Sequence, residues 1–230
     1  PGDLADCGRQ CVEQHESRAF LVMPFLHGGS LAELLRMRGA PSLAEVERIV
    51  GEVAATLDRI HAHGLTHRGL TPENILFDFS GRSCITDIGV TDSLLAAHAG
   101  DGSRAARARA YAAPELRRAQ PVDGRADQYA LAMIAYEMLT GGKLLRRQTF
   151  EGIITLDPIE VLAEVPLCKD VPVHVNAALR RALSAGAANR FATTRQFAEA
   201  LVGRGAAPTR GLPTTLVELL LRRRPPDRKS

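Results

Sequence analysis

Apolar positions along the chain fall into two rhythms: short continuous runs closed by Gly or Pro, and longer stretches in which they recur every three or four residues. The run RAFLVMPFL, Arg18 to Leu26, ends at His27-Gly28-Gly29 and predicts a buried strand entering a loop. A helix is expected from Ser30, with Leu31, Leu34 and Leu35 on one face. A second begins at a capping box, Ser42 with Glu45, places Val46, Ile49, Val50, Val53, Leu57 and Ile60 at helical spacing, and stops before Gly64. NILFDFSGRSCITDIG predicts two short strands around a Ser80-Gly81 turn. Val90 to Ala110 is rich in Ala, Arg, Gly and Ser without periodicity, and is expected to be a mobile loop. GRADQYALAMIAYEMLTG, from Gly124, is apolar around most of its circumference and predicts a helix buried on nearly every side. PVHVNAALRRALSAG and TTRQFAEALVG predict two more, the latter with a Thr193 and Gln196 capping box and an end at Gly203. The tail LPTTLVELLLRRRPPDRKS predicts an amphipathic helix with Leu216, Val217, Leu220 and Leu221 on one side and Arg222 to Arg224 at its end. A small strand portion followed by many helices makes the expected fold class α+β, mainly helical.

Composition narrows the field. A chain of 230 residues supports one sizeable core. With 45% hydrophobic and 24% charged residues and no apolar run long enough for a bilayer, a soluble unit without a transmembrane helix is expected. A net charge of +3 argues against nucleic acid as a partner. Cys7, Cys11, Cys84 and Cys168 show no paired knuckle spacing and suit a reducing, cytoplasmic compartment. The chain starts at Pro1 with no signal-peptide pattern, which fits a fragment of a longer product.

Candidate chemistry begins with HRGLTPEN, His67 to Asn74, a rigid loop between two apolar runs. Asp87-Ile88-Gly89 follows after the predicted hairpin, and Ala113-Pro114-Glu115 after the Ala/Arg loop. In this order and at these separations the three motifs resemble H-R-D-L-x-x-x-N, D-F-G and A-P-E of the protein kinase family, closest in flavour to bacterial Ser/Thr kinases. The resemblance runs from about the start of the chain to Gly203. It implies a protein-kinase-like fold in three parts: remnant small-lobe strands and hinge over 1–26, a large lobe over 27–203, and a tail helix with a basic end over 204–230.

The resemblance also implies roles. Met23 would be the gatekeeper, and the Pro24 carbonyl and Leu26 N–H would pair with adenine; with Ser30 and Leu76 these are the implied nucleotide-binding residues. Leu76 would be the floor of the slot, resting on Ile134 and Met138. Asp127 would hold the loop backbone around His67, and Glu115 would pair with Arg190. Asn74 and Asp87 would hold Mg²⁺ against the phosphates of ATP; the alternative reading has Asp87 capping a turn and Asn74 bonding local backbone. Thr91, Ser93 and Ser103 could accept phosphate opposite Arg68, although Arg104, Arg107 and Arg109 already neutralise that loop.

Three positions depart from the family pattern. Gly69 stands where the catalytic Asp receives the substrate's hydroxyl proton, Thr71 where a Lys contacts the transferred phosphate, and Ala108 where a Thr bridges the two. General-base help is typically worth about 10² to 10⁴ in rate; joint replacement of base, cation and bridge implies a pseudokinase that acts by binding nucleotide, a protein partner, or both. A divergent active Ser/Thr kinase working by positioning alone, and a nucleotide-free scaffold, are the rivals. The Gly-rich loop and the phosphate-clamping Lys of the small lobe do not occur in this chain.

Overall fold

In the computed structural model the described residues are 11–15, 18–22, 25–88, 108–141, 168 and 170–204. They begin with an antiparallel hairpin of β1 (Cys11–His15) and β2 (Arg18–Val22), Cys11 lying opposite Val22. Met23, Pro24, Gly89, the candidate phosphate acceptors and the tail helix lie outside the described residues, as do the side chains of the two strands.

Helix α1 (Leu31–Arg38) starts where Ser30 and Glu33 form a reciprocal capping box, 3.2 Å and 3.0 Å. Helix α2 (Leu43–Ala62) starts the same way at Ser42 and Glu45. Two donors that a helix start leaves unsatisfied are met in each case by the chain's own side chains. The expected stripe on α2 is buried throughout, from Val46 to Ile60. Burying one such aliphatic side chain is worth roughly 1.5–3 kcal/mol, so this face outweighs the caps.

The hairpin of β3 (Ile75–Phe77) and β4 (Ser83–Ile85) pairs Ile75 with Ile85, and the turn between them passes through Gly81 at φ 78°. Gly28 donates its N–H to the Phe77 carbonyl at 2.9 Å, so close that a Cβ there would sit 2.6 Å from that of Phe77. His27 stacks on Phe79 at 4.1 Å between ring centres, seating the loop before α1 on the hairpin.

A short helix α3 (Pro114–Arg117) precedes α4 (Gly124–Thr140), in which every residue from Ala126 to Tyr136 is buried. Helix α4 is therefore an axis, packed by α2, by α5 (Val173–Ala182) and by α6 (Thr194–Leu201), and its all-round apolarity is what that position demands. Among the described residues no helix is long and apolar enough to cross a membrane.

Two expectations need correction. The loop expected to reach Ala110 ends earlier, because residues 108–111 form a helical turn: the buried Tyr111 donates its hydroxyl to Glu137 on α4 at 2.6 Å and ties this end of the segment to the core. The capping box at α6 is only half formed. Thr193 accepts the Gln196 N–H at 3.2 Å, but the Gln196 carboxamide reaches past Thr193 to the Ala192 N–H at 3.1 Å. The remaining N–H groups of that helix start, on Thr194 and Arg195, are taken by Asp58 of α2 at 3.0 Å and 3.1 Å.

Candidate functional site

The loop from His67 to Asn74 is positioned from behind by α4. Asp127, 1% exposed, accepts the main-chain N–H groups of His67 and Arg68 at 2.8 Å each. Its Oδ2 also meets His61 Nε2 at 2.8 Å. Three donors converging on one buried carboxylate offset its desolvation, which a lone buried charge could not do. Gly124 makes the third contact reachable, since a Cβ at that position would collide with the His61 ring.

The fixed N–H of Arg68 goes with a left-handed backbone, φ 62°, at a residue with a long side chain; this conformation costs about 1–2 kcal/mol. Asp87 is also left-handed at φ 62°. Backbone outliers of this kind persist only where neighbours over-determine them, and they gather at functional sites. His67 is fully buried, its Nε2 3.0 Å from the Thr86 carbonyl and its Nδ1 3.4 Å from the Gly69 N–H. A carbonyl can only accept and an N–H only donate, so the tautomer with hydrogen on Nε2 satisfies both. His67 thereby joins the loop to the segment that leads into Asp87.

In front, the groups bond to one another. Thr71 donates its hydroxyl to Asn74 Oδ1 at 2.7 Å, and Asn74 Nδ2 donates to Asp87 Oδ2 at 3.1 Å. Asn74 N–H goes to the Thr71 carbonyl at 3.1 Å and its carbonyl receives the Thr86 N–H at 2.9 Å. Thr71 and Asn74 are buried, whereas Gly69 is half-buried and Arg68 and Glu73 are exposed. Among the described residues no group of three or more His, Cys, Asp or Glu side chains is placed to hold a metal ion, so any cation here would depend on Asp87 and Asn74. Of the adenine-slot candidates, Ser30 and Leu76 face each other across a single antiparallel bridge, Leu26 is half-buried, and Ile134 and Met138 lie in the core.

Away from the loop, Arg190 and Glu115 form a bidentate pair, Nη1 to Oε1 at 2.6 Å and Nη2 to Oε2 at 2.9 Å. Arg190 spends its other hydrogens on the carbonyls of Ser184, Arg125 and Ala185 and lies over the Tyr129 ring. This joins the turn after α5 to α3 and α4. Sequence reasoning missed Gln128, fully buried, which clamps Phe191 and Thr193 main-chain groups with both ends of its amide. It also missed Glu52, which receives the Ser83 N–H and hydroxyl at 2.7 Å each. Burial pushes the Glu52 carboxyl up, but the Ser83 bonds and Arg48 outweigh it and hold the group below its ordinary range. A polar residue in the middle of an apolar helix was the available signal for Gln128; nothing local marked Glu52.

The protein kinase domain family matches residues 9–209. The chain is 32% identical over 182 residues to the Serine/threonine-protein kinase PknD of Mycobacterium tuberculosis, covering 78% of this chain and 27% of that protein. It is 31% identical over 205 residues to the DNA damage-responsive serine/threonine-protein kinase RqkA of Deinococcus radiodurans, covering 88% and 30%. A probable serine/threonine-protein kinase PknB of Bifidobacterium longum is 27% identical over 207 residues, covering 85% and 29%. The chain belongs to the protein kinase family, with an α+β kinase-like fold. It spans less than a third of the length of these relatives.

Proposed function

We propose that this kinase-family domain binds nucleotide and engages a protein partner in signalling without transferring phosphate. The observation that carries the reading is the state of the loop. Gly69 supplies no carboxylate where the family's proton acceptor stands, and the hydroxyl of Thr71, at the family's lysine position, is committed to Asn74 at 2.7 Å. Neither side chain can receive a substrate proton or neutralise a transferred phosphate, while the supports behind them, Asp127 and the Glu115–Arg190 pair, are fully bonded. A folded platform that lacks the reacting groups suits binding.

Phosphoryl transfer draws much of its acceleration from positioning and charge stabilisation, so the rival reading is slow transfer by positioning alone. It is favoured by the proximity of Asn74 to Asp87 and by the relatives' names. Full-length protein incubated with labelled ATP and Mg²⁺ separates the two. The expected result is no label on the protein itself or on a basic substrate, with Gly69→Asp restoring little because Thr71 and Ala108 stay unchanged. Incorporation that Asp87→Ala abolishes would overturn the proposal.

A further inference from the structure

We infer that the outer face of α5 and α6 is a docking surface for an anionic lipid bilayer, and that the basic sequence after Arg204 strengthens the same contact. This is independent of the nucleotide-binding reading above, since none of its residues belongs to the loop from His67 to Asn74.

Charge is divided unevenly along the chain. Residues 171–230 carry eleven Lys and Arg against three Asp and Glu, a net of +8, whereas residues 1–170 carry eighteen against twenty-three, a net of −5. Asymmetry of this kind bears on what the chain meets rather than on how it folds. The described part of the basic region places its cations outside. Arg190 is the exception, buried against Glu115, while Arg180, Arg181, Arg195 and Arg204 are exposed. Helix α5 carries no acidic side chain. Helix α6 carries only Glu199, bonded to Arg195 at 2.9 Å with both side chains exposed, a pair that water largely screens. Asp170 lies at the rim, two residues before Pro172.

Helical spacing puts these cations beside apolar side chains. Val173, Ala177, Arg180 and Arg181 fall within about a third of the circumference of α5, and all four are exposed. Arg195, Glu199 and Val202 share a stripe on α6 in the same way. The two helices lie side by side and antiparallel: a Cβ on Gly203 would meet the His174 ring at 3.3 Å, and Arg181 lies over the Phe191 ring at 4.2 Å. Val173, 86% exposed, therefore adjoins Val202, 37% exposed, with Arg204 beside them and the other arginines toward the opposite end. Such a surface suits a bilayer, where arginines meet anionic headgroups and the valines reach the acyl boundary. Nucleic-acid phosphates would answer the arginines and leave the valines in water. The sequence beyond Arg204 repeats the combination, with Leu216, Val217, Leu220 and Leu221 at helical spacing before Arg222, Arg223 and Arg224. The negative remainder of the chain is repelled by an anionic bilayer, which turns the arginine face toward it.

The test sediments full-length protein with vesicles of phosphatidylcholine alone and of an equal mixture with phosphatidylglycerol, in about 0.1 M salt. Partition should be at least about tenfold stronger on the mixed vesicles and should fall at least about threefold in about 0.5 M salt. Arg180→Glu combined with Arg181→Glu should weaken binding to the mixed vesicles at least about tenfold. Val173→Ser should weaken it at least about twofold. Arg36→Glu combined with Arg38→Glu makes the same change of charge on α1 and should leave binding within about twofold of wild type. Thermal melting of each variant reports that it is folded. Equal partition on both kinds of vesicle, binding unchanged by the α5 pair, or equal losses from the α5 and α1 pairs overturns the inference. Polyglutamate and duplex DNA present negative charge without an apolar layer. If Val173→Ser weakens binding to either of them as much as to vesicles, or leaves vesicle binding unchanged, the valines take no part and the bilayer is the wrong occupant.

Discussion

At Asp127 and at Glu115–Arg190 the interior of this domain holds charged side chains, each met by several donors or acceptors; at Gly69, Thr71 and Asn74 the loop holds small neutral groups, of which Thr71 and Asn74 bond to each other. The two regions lie next to each other, since His67 and Arg68, whose N–H groups Asp127 receives, directly precede Gly69. Their difference separates two demands on a kinase fold. Charges behind the loop join segments far apart in sequence, and removing one partner leaves the other buried and unpaired, so folding itself requires them. On the function proposed above, the groups at the front correspond to those that the family uses when a phosphate is moved. A chain can replace these and keep its architecture.

That contrast is exposed to measurement. The largest effect is expected from Arg190→Leu, which strands the Glu115 carboxylate at 8% exposure and should cost about 3–5 kcal/mol in urea unfolding. A loss under about 1 kcal/mol would mean that the pair does not hold the frame. Next comes Asp127→Asn, which can accept on one atom only and turns an NH₂ toward main-chain donors. It should cost about 1–3 kcal/mol and speed hydrogen exchange at the His67 and Arg68 amides; unchanged exchange would sever Asp127 from the loop.

The smallest effect concerns Glu52, the part of the frame that acid can titrate. Its carboxyl is held below its ordinary 4.5, so the bond to Ser83 contributes stability at neutral pH and loses it as pH falls below that value and through the lowered one. Glu52→Gln should therefore melt earlier than wild type at pH 7, and the gap between them should close in strong acid. A gap that stays constant with pH would show that Glu52 acts only by its shape.

Much of the architecture was legible because it rests on local rules. Ser42 and Glu45 announce the start of α2 within four residues, its buried stripe follows from a period of 3.6, and the all-apolar stretch after Gly124 announces the central axis. The Thr193 motif shows how far such rules reach: its hydroxyl caps α6, but Gln196 turns to Ala192, and two further N–H groups are met by Asp58 from another helix. The helical turn ending in Tyr111 escaped notice for a similar reason, since its anchor is Glu137 on α4.

Sequence alone determined the buried face of α2, the central axis α4, the family motifs and the glycine at position 69, because caps, periodicity and motif letters are properties of neighbouring residues. Tertiary structure decided what those letters do. His61 reaching Asp127, Gln128 clamping the main chain of Phe191 and Thr193 before α6, and the Asn74 amide turned with its NH₂ toward Asp87 all depend on groups that only folding brings within 3.1 Å. Hydrogen-bond direction needs the position of both partners, and a linear string carries only their identities.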